Sequence, residues 1–276
     1  MTLRDSGLVR SDRCGLDELF LAFEVGEAER GRLALRADWA RRWTGTWRTS
    51  GGEVACAVRD LGAVPVAQCE PVRRFSWRPR QRHRPGLEFL VSTGRLHGFE
   101  SLEERSLLVA LDFAGTVVEV LPQPFRLRFE TAEGFSEHIP DFLAVFHDGS
   151  RWLFDVRPGP LIKERDETCF AASGEAALAV GWRYSVVTGW RSHVLSVLDA
   201  LSAQRRPLED QLGLQDWMLE ALSRGSVTFG EMVAATSLPV VARAHALHLL
   251  WHRRLGIDLS RPLGDHSLVW SVTESG

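Results

Sequence analysis

Two apolar runs, Phe142–Phe146 and Arg151–Val156, are separated only by His147-Asp148-Gly149-Ser150. An Asp-Gly pair between such runs is a strong hairpin signal, because glycine takes the positive φ that a tight turn needs. The chain must therefore hold an antiparallel strand pair here. Centring the turn between Asp148 and Gly149 sets Asp141 opposite Val156, beside Asp155 and Arg157. Strand side chains alternate, so Asp155 and Arg157 share a face. Two carboxylates and a cation thus converge at one end of the hairpin. Carboxylates this close repel each other unless a cation lies between them.

The flanking pattern predicts a helix over Ser101–Leu111, stopped at Gly115. Strands are expected over Val117–Leu121, Phe125–Glu130 and Tyr184–Val187, and helices over Glu164–Val180 and His193–Gln204. This order describes a mixed α/β domain spanning 71–205, with a boundary at Arg205-Arg206-Pro207. Three helical segments follow, Leu208–Leu222, Thr228–Ala235 and Pro239–Leu255. Short extended pieces then occur around Gly256–Leu259 and Ser267–Val272. Together they outline a small winged-helix-like domain over 206–276. Residues 1–70 read as an extension without an assigned role. It includes a charged helical stretch, Glu27–Arg42, and apolar runs at Val54–Val58 and Gly62–Val66.

Several function classes are disfavoured. No run approaches the roughly 18 apolar residues of a membrane span, and the first twenty residues lack a signal-peptide core. A cytoplasmic protein that does not enter membranes is expected. Cys14, Cys56, Cys69 and Cys169 form no CxxC pair, which fits reduced thiols rather than a zinc site. Net charge is only -3, so nucleic-acid contact must come from local patches. The best patch is the 71–97 segment. It carries Arg73, Arg74, Arg78, Arg80 and Arg82 with Phe75 and Trp77 interleaved, a composition suited to phosphates and bases. The alternative is a solvated basic loop.

Glu104 adds a third acid. It lies in line with Leu107, Leu108 and Leu111 at helical spacing, which turns it toward apolar surface. Ser101-x-x-Glu104 also matches a capping box, in which the glutamate only closes the helix start. Three acids around a divalent ion suit phosphodiester hydrolysis with Mg²⁺, or Mn²⁺ in its place. The ion would activate water and stabilise the leaving oxygen.

The ordered set Ser101-Leu102-Glu103-Glu104, Leu111-Asp112-Phe113, Gln123-Pro124-Phe125, Ile139-Pro140-Asp141-Phe142 and Phe154-Asp155-Val156-Arg157-Pro158 resembles the TnsA family. These are transposon endonucleases of the restriction-endonuclease-like, PD-(D/E)XK type. The likeness covers about 71–270, including the Leu249–Leu263 run. It implies an α/β fold with a mixed-sheet core and helices on both sides, followed by the winged-helix-like domain. It assigns Glu104, Asp141 and Asp155 as metal-holding catalytic acids and Arg157 to the position of the motif lysine. It further implies Mg²⁺, double-stranded DNA cut at the 5′ ends of a transposon, a TnsB-type transposase and a TnsC-type ATPase regulator as partners.

The departure is Arg157, since arginine supplies charge but does not release a proton near neutral pH. Only one of the 33 cationic residues is a lysine, Lys163. Gln123 and Lys163 are the accessory candidates. Two further readings stay open: a catalytically impaired DNA-binding adaptor that keeps the nuclease fold, and a stand-alone restriction or repair nuclease. His245, His248 and His252 fall near one face of the late helix, as a metal cluster or as packed side chains.

Overall fold

The computed structural model describes residues 7–73, 85–223 and 225–272. It shows a mixed α/β chain that divides into two compact units. One comprises Leu21–Leu108 and Thr116–Gly189. The other comprises the described residues up to Phe20, Val109–Gly115, and the described residues from Trp190 on.

The first unit is built on two sheets. In chain order its strands are β1 (Phe20–Phe23), β2 (Thr44–Thr49), β3 (Gly52–Ala57), β4 (Cys69–Glu70), β5 (Gly86–Leu90), β6 (Arg95–Phe99), β7 (Val117–Pro122), β8 (Phe125–Thr131), β9 (Gly134–His138), β10 (Phe142–Phe146), β11 (Arg151–Val156) and β12 (Arg183–Trp190). Its helices are α1 (Glu27–Gly31), α2 (Trp39–Arg42), the part of α3 (Leu102–Ala114) up to Leu108, and α4 (Glu164–Ala179). One sheet runs β1-β12-β11-β10-β7; β10 is antiparallel to both its neighbours, and β11 and β12 are parallel. Helix α4 makes the long crossover that a parallel pair requires. The other sheet runs β3-β2-β8-β9, with β4 on β2, and β5–β6 is a separate hairpin. A single core joins the two sheets and α4. Trp43, Trp47, Phe125, Phe129, Leu143, Leu153, Ala172 and Ala176 are all in it and essentially unexposed.

Three expectations change here. The 1–70 segment does not stand apart, because β2 pairs with β8 and supplies Trp47 to the core. The stretch Glu27–Arg42 is two short helices rather than one. Between them Leu33 bridges Thr131, and the Ala34 amide donates to the Glu130 carbonyl at 2.9 Å, so sheet pairing overrides local helix preference. The β10–β11 register is also one residue off the expected one. Phe142 pairs with Phe154, and the Phe146 amide reaches the Ser150 carbonyl at 3.0 Å. The loop thus holds three residues, with Gly149 at φ 80° and Asp148 Oδ1 accepting from the Ser150 amide and hydroxyl. With Phe142 on Phe154, Asp141 just before the one and Asp155 just after the other come to the same end of the strand pair.

The second unit contains α5 (Val194–Ser202), α6 (Leu214–Leu222), α7 (Phe229–Ala234) and α8 (Pro239–Trp251), with β13 (Val227–Thr228), β14 (Leu255–Gly256) and β15 (Leu268–Ser271) forming a small antiparallel sheet. Helix α5 groups here, not with the preceding sheets, and so does Phe113, whose ring meets Trp251 edge-on at 5.4 Å. Helix α6 starts at Leu214, later than its periodicity suggests, because Asp210 accepts from the Leu214 and Gln215 amides and fixes the first turn there. The α8 histidines hold the segment that leads into α6. His248 Nδ1 reaches the Gln204 carbonyl at 2.8 Å, His252 Nε2 the Arg205 carbonyl at 3.0 Å, and His245 Nδ1 the side-chain Nε2 of Gln215 at 3.1 Å. No helix among the described residues is long and apolar enough to cross a membrane.

Candidate active site

A cleft of about 840 Å³ in the first unit is lined by Glu104, Asp141, Asp155 and Arg157 together. Three different elements deliver the acids. Glu104 stands on the first turn of α3, whose Leu107, Leu108 and Leu111 are fully buried. Asp141 sits just before β10, held between two strands: its amide donates to the Phe154 carbonyl at 2.9 Å, and its carbonyl accepts from the Gln123 amide at 2.7 Å. Asp155 is near the end of β11 and 2% exposed.

Each carboxylate has protein partners. Asp141 Oδ2 accepts from the Val156 amide at 2.7 Å. Glu104 closes its own helix start, accepting from the Glu100 amide at 2.7 Å and the Ser101 hydroxyl at 3.2 Å, while its amide donates to Ser101 Oγ at 3.1 Å. The capping interaction and the place in the cleft therefore coexist. Asp155 Oδ1 accepts from His138 Nε2 at 2.7 Å, and Oδ2 from the Tyr184 hydroxyl at 2.7 Å.

The acids sense one another. Burial foremost, then the charges of Asp155 and Glu104, push Asp141 well above the usual carboxylate range, against the Val156 amide. Burial likewise pushes Glu104 up to about 7, against its hydrogen bonds from the Glu100 amide and Ser101. Burial alone would lower His138. The Asp155 charge and hydrogen bond outweigh it and raise the imidazole well above its ordinary range. Tyr184 is raised by burial and by Asp155.

At the rim, guanidiniums face acids: Arg73–Glu100 at 3.4 Å, Arg126–Glu137 at 3.9 Å and Arg157–Asp166 at 3.5 Å. Arg157 also donates to the Leu161 carbonyl at 3.3 Å. These rim pairs neutralise one another, whereas inside the cleft His138 is hydrogen-bonded to Asp155 and the Arg73 charge reaches Glu104. Three carboxyl groups gathered in one cleft suit a divalent cation, not a bare phosphate. Among the described residues no group of three or more His, Cys, Asp or Glu side chains is arranged to hold a metal ion. A pair is present, Asp141 facing Asp155, and Mg²⁺ is commonly held by one or two carboxylates, with waters and substrate phosphates completing its shell. The donor chemistry therefore fits a two-carboxylate site.

The accessory candidates fare differently. Gln123 lies beside Asp141 in the strand pairing, 2% exposed and at φ 45°, a backbone conformation that non-glycine residues adopt under constraint. Lys163 is the exposed residue preceding α4, its amide on Asp166 Oδ2, and it is not among the described residues lining the cleft. Of the basic segment, Arg73 lines the cleft, whereas Arg74, Trp77, Arg78, Arg80 and Arg82 lie outside the described residues. Sequence reasoning missed His138 and Tyr184. His138 ends a strand three residues before Asp141, and Tyr184 is the only tyrosine in the chain; neither forms a motif with the acids in sequence. The chain matches no protein-family model and no curated protein.

Proposed function

We propose that the chain is a divalent-metal-dependent DNA endonuclease with a restriction-endonuclease-like core, acting as the 5′-end-cutting subunit of a TnsA-type heteromeric transposase. The observation that carries this reading is the convergence of Asp141, Asp155 and Glu104 from three different elements on one cleft. Asp141 and Asp155 would hold Mg²⁺ or Mn²⁺, with Glu104 alongside. A bound ion there supplies Lewis-acid stabilisation and an activated water. The chain's own residues do the rest. Asp141 is fixed by the strand pairing, Glu104 by the helix start, and the rim arginines Arg73 and Arg126 meet the DNA backbone once their acid partners are displaced. In the second unit, three helices with a strand between the first two and a terminal hairpin follow the order of a winged helix. This suits docking of the ATPase regulator and the partner transposase, and a cytoplasmic setting follows from that role.

The adaptor reading is favoured by one observation, the engagement of Arg157 by Asp166 and the Leu161 carbonyl. Metal binding separates the two. Calorimetric titration with Mn²⁺ should show binding that Asp155→Ala removes. Absence of binding by the wild-type chain overturns the endonuclease reading and leaves the adaptor. Arg157 is tested by cleavage. If it swings from Asp166 onto the phosphate, Arg157→Ala lowers the rate constant by about a hundredfold, the usual effect of losing one charge-stabilising donor. Arg157→Lys should restore most of the loss. Unchanged cleavage in Arg157→Ala shows that the guanidinium stays on Asp166 throughout.

A further inference from the structure

We infer that His138 and Tyr184 are positioning residues for Asp155, fixing the direction in which its carboxylate meets a divalent cation beside Asp141. The inference rests on the endonuclease reading and deepens it.

Three elements converge on this carboxylate. Asp155 comes from β11, His138 from the end of β9 in the other sheet, and Tyr184 from β12, the parallel neighbour of β11. Each carboxylate oxygen takes one donor at 2.7 Å, so rotation about the terminal torsion breaks one bond or both. Each oxygen keeps a further lone pair for a cation. The donors are themselves held. The Phe170 ring meets the imidazole edge-on at 6.4 Å. Tyr184 pairs with Leu153 in the sheet and reaches along the strand face to Asp155.

A buried carboxylate needs partners wherever it sits, so these bonds alone do not mark a site. Location decides. His138 and Asp155 both line the cleft, and the His138 side chain keeps 20% exposure there, which a purely internal clamp has no reason to keep. Outer partners of this kind orient ligating carboxylates, and their loss weakens metal binding by about 10–100-fold.

The test uses the full chain and Mn²⁺ alone as probe, read by calorimetry or by the electron spin resonance of free Mn²⁺. His138→Leu and Tyr184→Phe are expected to weaken Mn²⁺ binding by about 10–100-fold. His138→Gln, which keeps an N–H donor, should stay near the wild-type value. Circular dichroism and metal-free melting establish that each variant folds; if His138→Leu does not, Tyr184→Phe, which removes one hydroxyl, carries the comparison. Wild-type affinity in the folded deletion variants, with Asp141→Asn abolishing binding, overturns this inference and leaves the endonuclease reading intact. A loss confined to one variant removes the other residue from the assignment. A wild-type chain that binds no Mn²⁺ overturns the endonuclease reading, and this inference with it.

Discussion

Asp141→Asn is expected to abolish metal-dependent strand cleavage and to stabilise the metal-free protein at pH 8. The two effects share one cause. Burial and the charges of Asp155 and Glu104 disfavour the Asp141 anion, and a divalent ion is what makes that anion favourable. Losing a metal ligand forfeits several kcal/mol of transition-state stabilisation, about 10³-fold or more in rate. The amide side chain retains an oxygen for the Val156 N–H, now 2.7 Å from Asp141 Oδ2, while removing the repulsion. The sign follows from linkage. A carboxyl raised in the folded state keeps a proton that the unfolded chain releases, so its contribution to stability falls as pH rises above the unfolded value. Removing the group removes that loss. Single-turnover cleavage at saturating Mn²⁺, and urea unfolding at pH 8 in chelator, measure the two effects. Cleavage within tenfold of wild type would take Asp141 out of the catalytic centre.

Much of the fold is legible because local signals and packing agree. The β10–β11 hairpin announces itself by Asp148-Gly149 between apolar runs, and α4 by the long helical pattern over Glu164–Val180. The register is where legibility stops. Whether Phe146 and Ser150 pair depends on a three-residue loop held by the Asp148 side chain, and a dipeptide signal does not distinguish that from a two-residue turn. Residues 1–70 read as an extension without a role because β2 takes its place by pairing with β8, which is distant in sequence. The acids of the cleft were visible through Asp141 and Asp155 on either side of one turn. His138 and Tyr184 were not, since they reach Asp155 through pairing between β11 and β12 and across the two sheets. Single residues brought together by long-range pairing leave no periodic trace.

Glu104→Gln separates the two roles that Glu104 combines. With its carboxyl pushed up to about 7 by burial, Glu104 should add its own fall in stability as pH rises from about 4.5 to 7, on top of the fall due to Asp141. For a group only 9% exposed the fall is about 3 kcal/mol. The amide keeps one acceptor for the Glu100 N–H or the Ser101 hydroxyl, so the start of α3 survives in part. The variant should therefore lose that pH dependence and be the more stable protein at pH 8 without metal. Saturating Mn²⁺ should raise both curves through Asp141 and Asp155, and should remove the difference in pH dependence between wild type and variant, because a nearby cation favours the charged carboxylate. Urea unfolding from pH 4.5 to 8, with and without Mn²⁺, reads all of this. If Glu104 serves only as a helix cap, the variant is less stable at every pH and Mn²⁺ shifts both curves alike. In that case the ion rests on Asp141 and Asp155 alone.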